Sequence, residues 1–434
     1  MGGRVYWMNP PAQASDMTGV ELDMQGRLIG FYAVTPQVES EAAAAPAPDW
    51  GPLFAEARLD PARYKPAAPR WTPPFHTDTR AAWVSADPSA PDLPSRIEAA
   101  AYRGRPVYFQ LIGDWTRPER MVPFQFSAGQ KAAVRVGVVL LLATIGGALR
   151  LARENMRLGR GDRRGASRVA GLTGVLTLLY WGLTAHHVAS MLDELVLAVH
   201  GISLTLLVAC SLWVLYMALE PYVRRQWPET LVSWTRLLSG RYGDPLVARD
   251  LLVGGAIGCA FSLILPFAWV YLLPLTGASH HPRPTADDDG LMGGRLVAAT
   301  LVLTLVVAIA NGLGLALLRV PLRRVLRYEI AVALAFALVV SLENALALGG
   351  PLWLMLPFVM AVDGLPIYLI VRFGLLPSMV ALFTTSMLLS LPAGPALDHW
   401  SANAMLIGLA VSAATLGYGY VRSQGGALTA AARS

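Results

Sequence analysis

The chain has 434 residues, of which 54% are hydrophobic and only 15% are charged, and its mean hydropathy is +0.46. Soluble domains carry about 25% charged residues, so a soluble core would not hide this much apolar surface. The composition therefore excludes a soluble globular protein and predicts a membrane protein. The net charge of +6 comes almost wholly from arginine, since Lys65 and Lys131 are the only lysines. These arginines lie beside apolar runs, which indicates membrane orientation rather than nucleic-acid binding.

Residues 1–131 are polar and proline-rich, with no apolar run long enough to span a bilayer. Short helices are predicted at Pro52–Arg58 and Pro61–Tyr64, with Asp60 as the N-cap of the second. Two pairs of apolar-rich runs, each pair separated by turn residues, predict β-hairpins before and after these helices. The order of hairpin, helices and hairpin predicts a small α+β domain. The hairpin runs are Val20–Asp23 with Arg27–Val34, and Arg96–Tyr102 with Pro106–Ile112.

Residues 132–434 alternate long apolar runs with short arginine-rich or acidic loops. A helix needs about 20 apolar residues to cross about 30 Å of hydrocarbon. The segment therefore predicts an all-α polytopic bundle of about nine transmembrane helices. The predicted spans are 132–149, 169–186, 195–219, 251–275, 296–318, 329–348, 352–371, 375–392 and 404–420.

Arginine placement predicts the orientation of these spans. The loops at 150–168, 220–250 and 319–328 are rich in arginine, whereas the alternate loops are basic-poor. By the positive-inside rule the arginine-rich loops are cytoplasmic, in the inner membrane of a bacterium. Nine spans then place residues 1–131 outside the cell and the C-terminus inside. Because Met1–Pro10 lacks a signal peptide, we expect the chain to be a piece of a longer protein with an upstream span.

The 220–250 loop is the most distinctive stretch. Pro228 suits the first turn of a helix and Gly240 can end it. An apolar stripe between them predicts a helix lying at the cytoplasmic interface, with Trp227 and Trp234 at headgroup depth. Two interpretations stay open, namely simple membrane anchoring and a docking surface for a cytoplasmic domain. For docking, the candidate residues are Trp227, Trp234 and Arg236.

Few polar residues lie within the predicted spans, and ionisable groups there are functional candidates. Glu343, next to Asn344, lies near the outer end of its span. Asp363 is more central, and the following Pro366 predicts either a broken helix or a kinked helix whose carboxylate pairs inside the bundle. A transporter uses such breaks to hold a substrate or ion, so a path near Asp363 and Asn311 is the alternative functional prediction.

No metal or cofactor site is predicted. Cys210 and Cys259 lie inside spans and are interpreted as small apolar core residues. Histidines are frequent near carboxylates in the outer loops, but none has the HxxxH or HExxH spacing of a helical metal site. The histidines considered are His186, His187, His200, His280, His281 and His399.

One long motif series is similar to a known protein family. The run ALEPYVRRQWPETLVSWTRLLSGRYGDPLVARDLLVGG at 218–255 resembles part of the membrane-embedded C-terminal region of bacterial serine/threonine protein kinases, of the type common in Acidobacteria-like genomes. GRGDRRGASRVAG at 159–171, VRFGLLPSMVALF at 371–383 and LDHWSANAML at 397–406 fit the same region. VELDMQGRLIGF at 20–31, PRWTPP at 69–74 and AAAYRGRPVYF at 99–109 extend the resemblance over most of the chain.

The resemblance implies a membrane and sensor part without its kinase domain. In such proteins the cytoplasmic kinase domain comes first, followed by a span, an outer segment and the remaining bundle. No kinase catalytic motif is present here, so no catalytic residue is predicted. We therefore expect a non-catalytic signalling module in the lipid bilayer, with a cytoplasmic kinase domain as partner in cis or in trans.

Overall fold

The protein divides into two compact units, Gly3–Phe124 and Gln125–Ser434, which we name the sheet domain and the helical bundle. The predicted boundary between residues 131 and 132 falls inside the first helix of the bundle, which begins at Ala128. The computed structural model describes residues 11–23, 25–38, 46–87, 94–113, 116, 118, 120–121, 126–187, 189–272, 293–326, 328–348, 351–391 and 402–431.

The sheet domain contains one six-stranded sheet in which every neighbouring pair of strands is antiparallel. Its spatial order is β1-β2-β6-β5-β4-β3, so the N-terminal hairpin joins the last strand. Helix α1 (Gly51–Glu56) and a 3₁₀ turn at Pro61–Arg63 lie between the second and third strands. The strands are β1 (Thr18–Leu22), β2 (Leu28–Ala33), β3 (Tyr64–Ala67), β4 (Thr79–Ser85), β5 (Arg96–Tyr102) and β6 (Arg105–Ile112).

Both predicted hairpins are confirmed, since β1 pairs with β2 and β5 pairs with β6. The predicted short helices are also present, and the Asp60 side chain accepts a hydrogen bond from the Ala62 N–H at 2.9 Å. The strands β3 and β4 were not predicted. Phe54 of α1 packs edge-to-face on Trp83 with ring centroids 5.1 Å apart, and this contact anchors the helix on the sheet.

The helical bundle contains ten further helices among the described residues. Three of them begin at a side-chain cap: Ser127 and Gln130 form a capping box, and Asp162 and Ser190 each accept a backbone N–H. The helices are α2 (Ala128–Arg157), α3 (Arg163–Thr184), α4 (Met191–Gln226), α5 (Val232–Leu238), α6 (Pro245–Leu272), α7 (Gly294–Val325), α8 (Glu329–Leu348), α9 (Leu352–Arg372), α10 (Leu375–Ser390) and α11 (Ala402–Ala431).

Six helices of the described part are long and apolar enough to cross a membrane, so the protein is a multi-pass helical membrane protein. Three other predicted spans, in α3, α8 and α10, are helical but do not meet this length and hydropathy within the described residues. The prediction of nine spans is therefore confirmed only for six. These are Ala128–Arg157, Met191–Gln226, Pro245–Phe267, Gly294–Val320, Leu352–Arg372 and Ala402–Gln424.

Two glycines allow α6 and α10 to approach each other closely. A Cβ added at Gly254 would meet the Pro377 carbonyl oxygen at 2.5 Å, and one added at Gly258 would meet the Thr384 Cβ at 2.7 Å. The two glycines are four residues apart on α6, so they form a strip without side chains. Helix α10 lies against that strip, as in the small-residue crossings of membrane helices.

Candidate functional site

The candidate residues fall into two groups, one at the arginine-rich end of the bundle and one within the spans. We define the arginine-rich end as the end of α2, the start of α3, the end of α4, the 227–244 segment and the start of α6. Its core is apolar and buried, and it includes Tyr216, Met217, Leu231 and Trp234. The loops at this end therefore pack on an apolar core.

At the arginine-rich end, a proline in α4 leaves a backbone carbonyl that bonds to a side chain of α2. Pro221 has no N–H, so the Met217 carbonyl, four residues earlier, lacks its usual helical donor. The side-chain amide of Asn155, buried at the end of α2, donates to that carbonyl oxygen at 2.9 Å. A side chain from one helix thus replaces a missing backbone bond in another.

Glu220 connects the α2–α3 turn to the end of α4. Its carboxylate is only 3% exposed, accepts a hydrogen bond from the Asp162 N–H at 3.2 Å and forms an ion pair with Arg224. The Asp162 side chain in turn caps α3 by accepting the Gly165 N–H at 2.9 Å. The buried carboxylate therefore joins the α2–α3 turn to the end of α4, a structural role rather than a catalytic one.

The segment after α4 folds back into the bundle. Pro228–Leu231 is a 3₁₀ turn, α5 follows, and Gly240, with a φ of +83°, comes directly after the C-cap of α5. Trp234 is 3% exposed and belongs to the main apolar core. The Trp234 ring therefore packs on protein and not on lipid, while its predicted headgroup depth stays a prediction. Leu231 is buried in the same core, so the apolar stripe faces the bundle.

Arg236 closes this segment on the next helix. Its Nη1 donates to both carboxylate oxygens of Asp244, at 2.9 Å and 2.8 Å. Asp244 also accepts the Leu246 N–H at 2.9 Å, at the start of α6. Partial burial would raise the pKa of Asp244, but the Leu246 N–H and the Arg236 guanidinium outweigh it and lower that pKa.

Trp227 packs on a charged side chain of α7. The guanidinium carbon of Arg319, a buried side chain of α7, lies 3.9 Å from the centroid of the Trp227 ring. That distance is typical of a cation–π contact. Thr230 lies against Gly374, whose φ is +108°, in the turn between α9 and α10. The 227–244 segment is thus held by several helices of the bundle.

The surface of the arginine-rich end is strongly basic. Every arginine between residues 150 and 168 is exposed, and so are Arg224, Arg225, Arg241 and Arg249. The buried Asp250 carboxylate pairs with Arg249 at 2.9 Å. This surface can attract anionic lipid headgroups or an acidic protein surface.

The second group lies in α7, α8 and α9. The Asn344 side-chain amide donates to the Asp363 carboxylate at 2.9 Å, which joins α8 to α9. Helix α9 is continuous through Asp363 despite Pro366, so the predicted helix break is absent from this helix. The alternative prediction, a carboxylate paired within the bundle, matches this hydrogen bond.

Glu343 and Asn311 occupy different positions. The Glu343 carboxylate lies against Gly137 of α2, since a Cβ added at that glycine would meet the Glu343 Oε1 at 2.9 Å. Asn311 is exposed on α7, four residues before Leu315. Leu315 packs beside Ala337 of α8. The structure thus places Asn344 in contact with Asp363, whereas Glu343 lies against α2.

The predicted absence of a metal site was not tested over the whole chain. Among the described residues, no group of three or more histidine, cysteine or acidic side chains could hold a metal ion. His187 Nδ1 lies 3.0 Å from the Glu194 carboxylate. His280, His281 and His399 lie outside the described residues.

Several residues of these sites were not singled out from the sequence. Asn155 acts at a distance along the chain and no local pattern marks it, whereas Asp162, directly before α3, has the local pattern of an N-cap. Glu220 precedes Arg224 by four residues within a helix, which is a recognisable ion-pair spacing. Pro221 inside a helix also signals a carbonyl that needs another donor.

No family model, curated protein or solved structure matches the chain. The fold and sites define a multi-pass membrane protein with a separate antiparallel sheet domain. The resemblance to the membrane region of bacterial serine/threonine kinases stays a prediction.

Proposed function

We propose that the protein is a non-catalytic signalling module of a bacterial inner membrane. In this proposal the sheet domain lies outside the cell and senses a stimulus. The arginine-rich end lies in the cytoplasm and contacts a serine/threonine kinase domain, in cis or in trans. This topology requires an odd number of crossings. Helices lie at all nine predicted positions, and six of them are long and apolar enough to span a membrane.

The observation that carries the proposal is the ordered folding of the 227–244 segment. Burial of Trp234 and the two-point contact of Arg236 with Asp244 hold this loop against the core. A loop that only connects two spans needs no such anchoring. Fixed backbone beneath exposed arginines suits a docking surface, because little conformational entropy is lost when a partner binds.

The docking surface is tested by site-specific photo-crosslinking in cells. A photoreactive amino acid replaces the exposed Arg241, and the control replaces Leu195, which is exposed at the other end of α4. We expect a crosslink at position 241 to a serine/threonine kinase domain encoded in the same gene or beside it, and none at position 195. Absence of such a kinase gene, or of the crosslink, would contradict the proposal.

The orientation has its own test. Single cysteines replace Val20 in the sheet domain and Arg160 at the arginine-rich end, in a background where Cys210 and Cys259 are alanine. A membrane-impermeant maleimide applied to intact spheroplasts should label position 20 and leave position 160 unlabelled until the cells are opened. Labelling of both positions from one side contradicts the topology.

A second candidate function is that of a permease or transporter, and the Asn344–Asp363 hydrogen bond supports it. A carboxylate within apolar helices is costly and is typical of ion or substrate paths. Uptake into proteoliposomes is measured for the parent and for Asp363→Asn. Loss of flux in the variant supports transport, whereas unchanged flux contradicts the transporter proposal.

A further inference from the structure

The interface between α8 and α9 is apolar at both ends and polar in the middle. At one end Ala345 packs with Met355 and Val359, and at the other Ala337 packs with Ile367. On α9, Asp363 lies four residues from each of Val359 and Ile367, so it shares their face.

Ser341 occupies the equivalent position on α8. It lies four residues from each of Ala337 and Ala345, so it belongs to the face that packs on α9. Because its two neighbours contact Ile367 and Val359 respectively, Ser341 lies at the height of Asp363. Asn344, one turn later, is bonded to that same carboxylate.

The Ser341 hydroxyl is an unsatisfied polar group. The side chain is 0% exposed, and its Oγ has no hydrogen-bond partner among the residues that the structure describes. A buried helical serine ordinarily donates to the carbonyl four residues earlier, as Ser412 does to Gly408 at 2.9 Å. A buried hydroxyl without a partner is costly, and a bound ion or a water molecule is a way to satisfy it.

A further oxygen near Asp363 is a backbone carbonyl of α9 that has lost its helical donor because of Pro366. This proline lies inside α9 and has no N–H, so the Val362 carbonyl lacks the helical bond it would otherwise accept. Val362 is the residue before Asp363. A carbonyl without its usual helical donor therefore lies next to the carboxylate in the chain.

Within the part of the chain that the structure describes, no cationic side chain pairs with the Asp363 carboxylate. Within the described residues, Asp363 forms a hydrogen bond with the neutral Asn344 amide and no ion pair with arginine, lysine or histidine. An unpaired carboxylate among apolar helices is strongly unfavourable without a positive charge. Asn344 is exposed and Asp363 is partly exposed, so the carboxylate is not sealed inside the bundle.

We propose that Asp363, Ser341 and the Val362 carbonyl form a binding site for a monovalent cation of the size of Na⁺, with the Asn344 amide holding the carboxylate by its N–H donor. Carboxylate, hydroxyl and carbonyl oxygens are hard ligands, which exclude a preference for soft transition metals. One carboxylate balances one positive charge, whereas protein sites for divalent calcium usually use several. Freed backbone carbonyls within membrane helices are known to coordinate Na⁺.

The test measures binding alone, so its failure is distinguishable from failure of the signalling or transport proposals. The full chain in lipid nanodiscs is unfolded by heat in NaCl or in choline chloride at equal ionic strength, with tryptophan fluorescence as the readout. We expect the midpoint to rise with NaCl in a saturable manner. Equal midpoints in the two salts at every concentration overturn the proposal.

Variants assign the effect to the site. Asp363→Asn and Ser341→Ala should each raise the apparent Kd for Na⁺ by about tenfold or more, since each removes one ligand oxygen or its charge. Ser412→Ala is the matched control, because that buried serine already has a partner, and its Na⁺ response should equal that of the parent. An unchanged response in both site variants overturns the assignment.

A proton is the competing occupant of Asp363. Lowering the pH in choline chloride distinguishes it from a metal cation. If acid protects the parent as fully as NaCl does, and NaCl adds nothing at neutral pH, then Asp363 is a protonation site and the cation proposal is wrong.

Discussion

The side-chain amide of Asn155 donates to the carbonyl oxygen of Met217 across the α2–α4 contact, at 2.9 Å. That carbonyl is the one left without a helical donor by Pro221. Both partners are buried, and the same amide also approaches the Ala218 carbonyl at 3.4 Å. The pair explains how α4 stays helical through a proline while remaining fixed to its neighbour.

Asn155→Leu should destabilise the bundle by about 1–3 kcal/mol, because the buried Met217 carbonyl loses its donor. Pro221→Ala restores the backbone N–H that this carbonyl lacks. We therefore expect the double variant to lose less stability than the sum of the two single changes predicts. Denaturant unfolding of the four proteins gives the coupling, and strict additivity would contradict this role of Asn155.

Gly258→Ala should destabilise the bundle by about 1–3 kcal/mol, since the added methyl group overlaps Thr384 and the backbone of α10. Gly171 is the control, because an added Cβ there meets no atom within 4 Å. Gly171→Ala should leave stability unchanged or raise it by about 0.5–1 kcal/mol, through the better helix propensity of alanine. Thermal unfolding in detergent measures both, and equal effects would show that the α6–α10 contact is looser than described.

Asp244→Asn should lower stability near neutral pH by about 1 kcal/mol, because Arg236 is partly exposed and its ion pair is screened by solvent. The folded-state pKa of Asp244 lies below its ordinary value of 3.8. Its contribution is therefore present above pH 4 and is lost as the pH falls through the lowered pKa. The midpoints of parent and variant should converge in acid, and a constant difference between them at all pH values argues against the pair.

Tyr108 makes the sheet domain sensitive to alkali. Burial, assisted by the charge of Glu98 and opposed by Arg120, raises the Tyr108 pKa from 10.0 to about 12. An unfolded tyrosine ionises first, so the stability contributed by neutral Tyr108 is present below pH 10 and decreases as the pH rises toward 12.

Tyr108→Phe isolates this effect. The variant keeps the buried ring, but it lacks the ionisable hydroxyl, which donates to the Gln110 side chain at 2.6 Å. Unfolding of parent and variant is followed by circular dichroism from neutral to alkaline pH. We expect the parent to lose more stability than Tyr108→Phe above pH 10, and parallel curves would refute a raised pKa.

Sequence patterns predicted the helices and strands that are marked by residues close together in the chain. Long apolar runs marked the helices, and alternating runs around Arg103 and Gly104 marked the β5–β6 hairpin. Strand β3 was missed because Pro66 interrupts a run of only four residues, and β4 because its alanines have weak strand propensity. Their pairing comes from contacts distant in the chain.

The site was harder to predict than the fold. An amphipathic stripe around Trp234 is the same whether the helix packs on lipid or on protein, so its burial could not be deduced from the pattern. Asp363 stood out because a carboxylate is rare in a span. Its partner Asn344 and the unsatisfied Ser341 depend on how α8 and α9 are aligned, which no local signal specifies.

The strand order of the sheet domain has a consequence for biosynthesis. Gly30 of β2 lies opposite Gln110 of β6, whereas β3 to β6 pair with their neighbours in sequence. During synthesis the N-terminal hairpin has no strand to pair with β2 on its other edge until β6 has left the ribosome. A short stretch separates β6 from α2, so the sheet is completed only while α2 is being made.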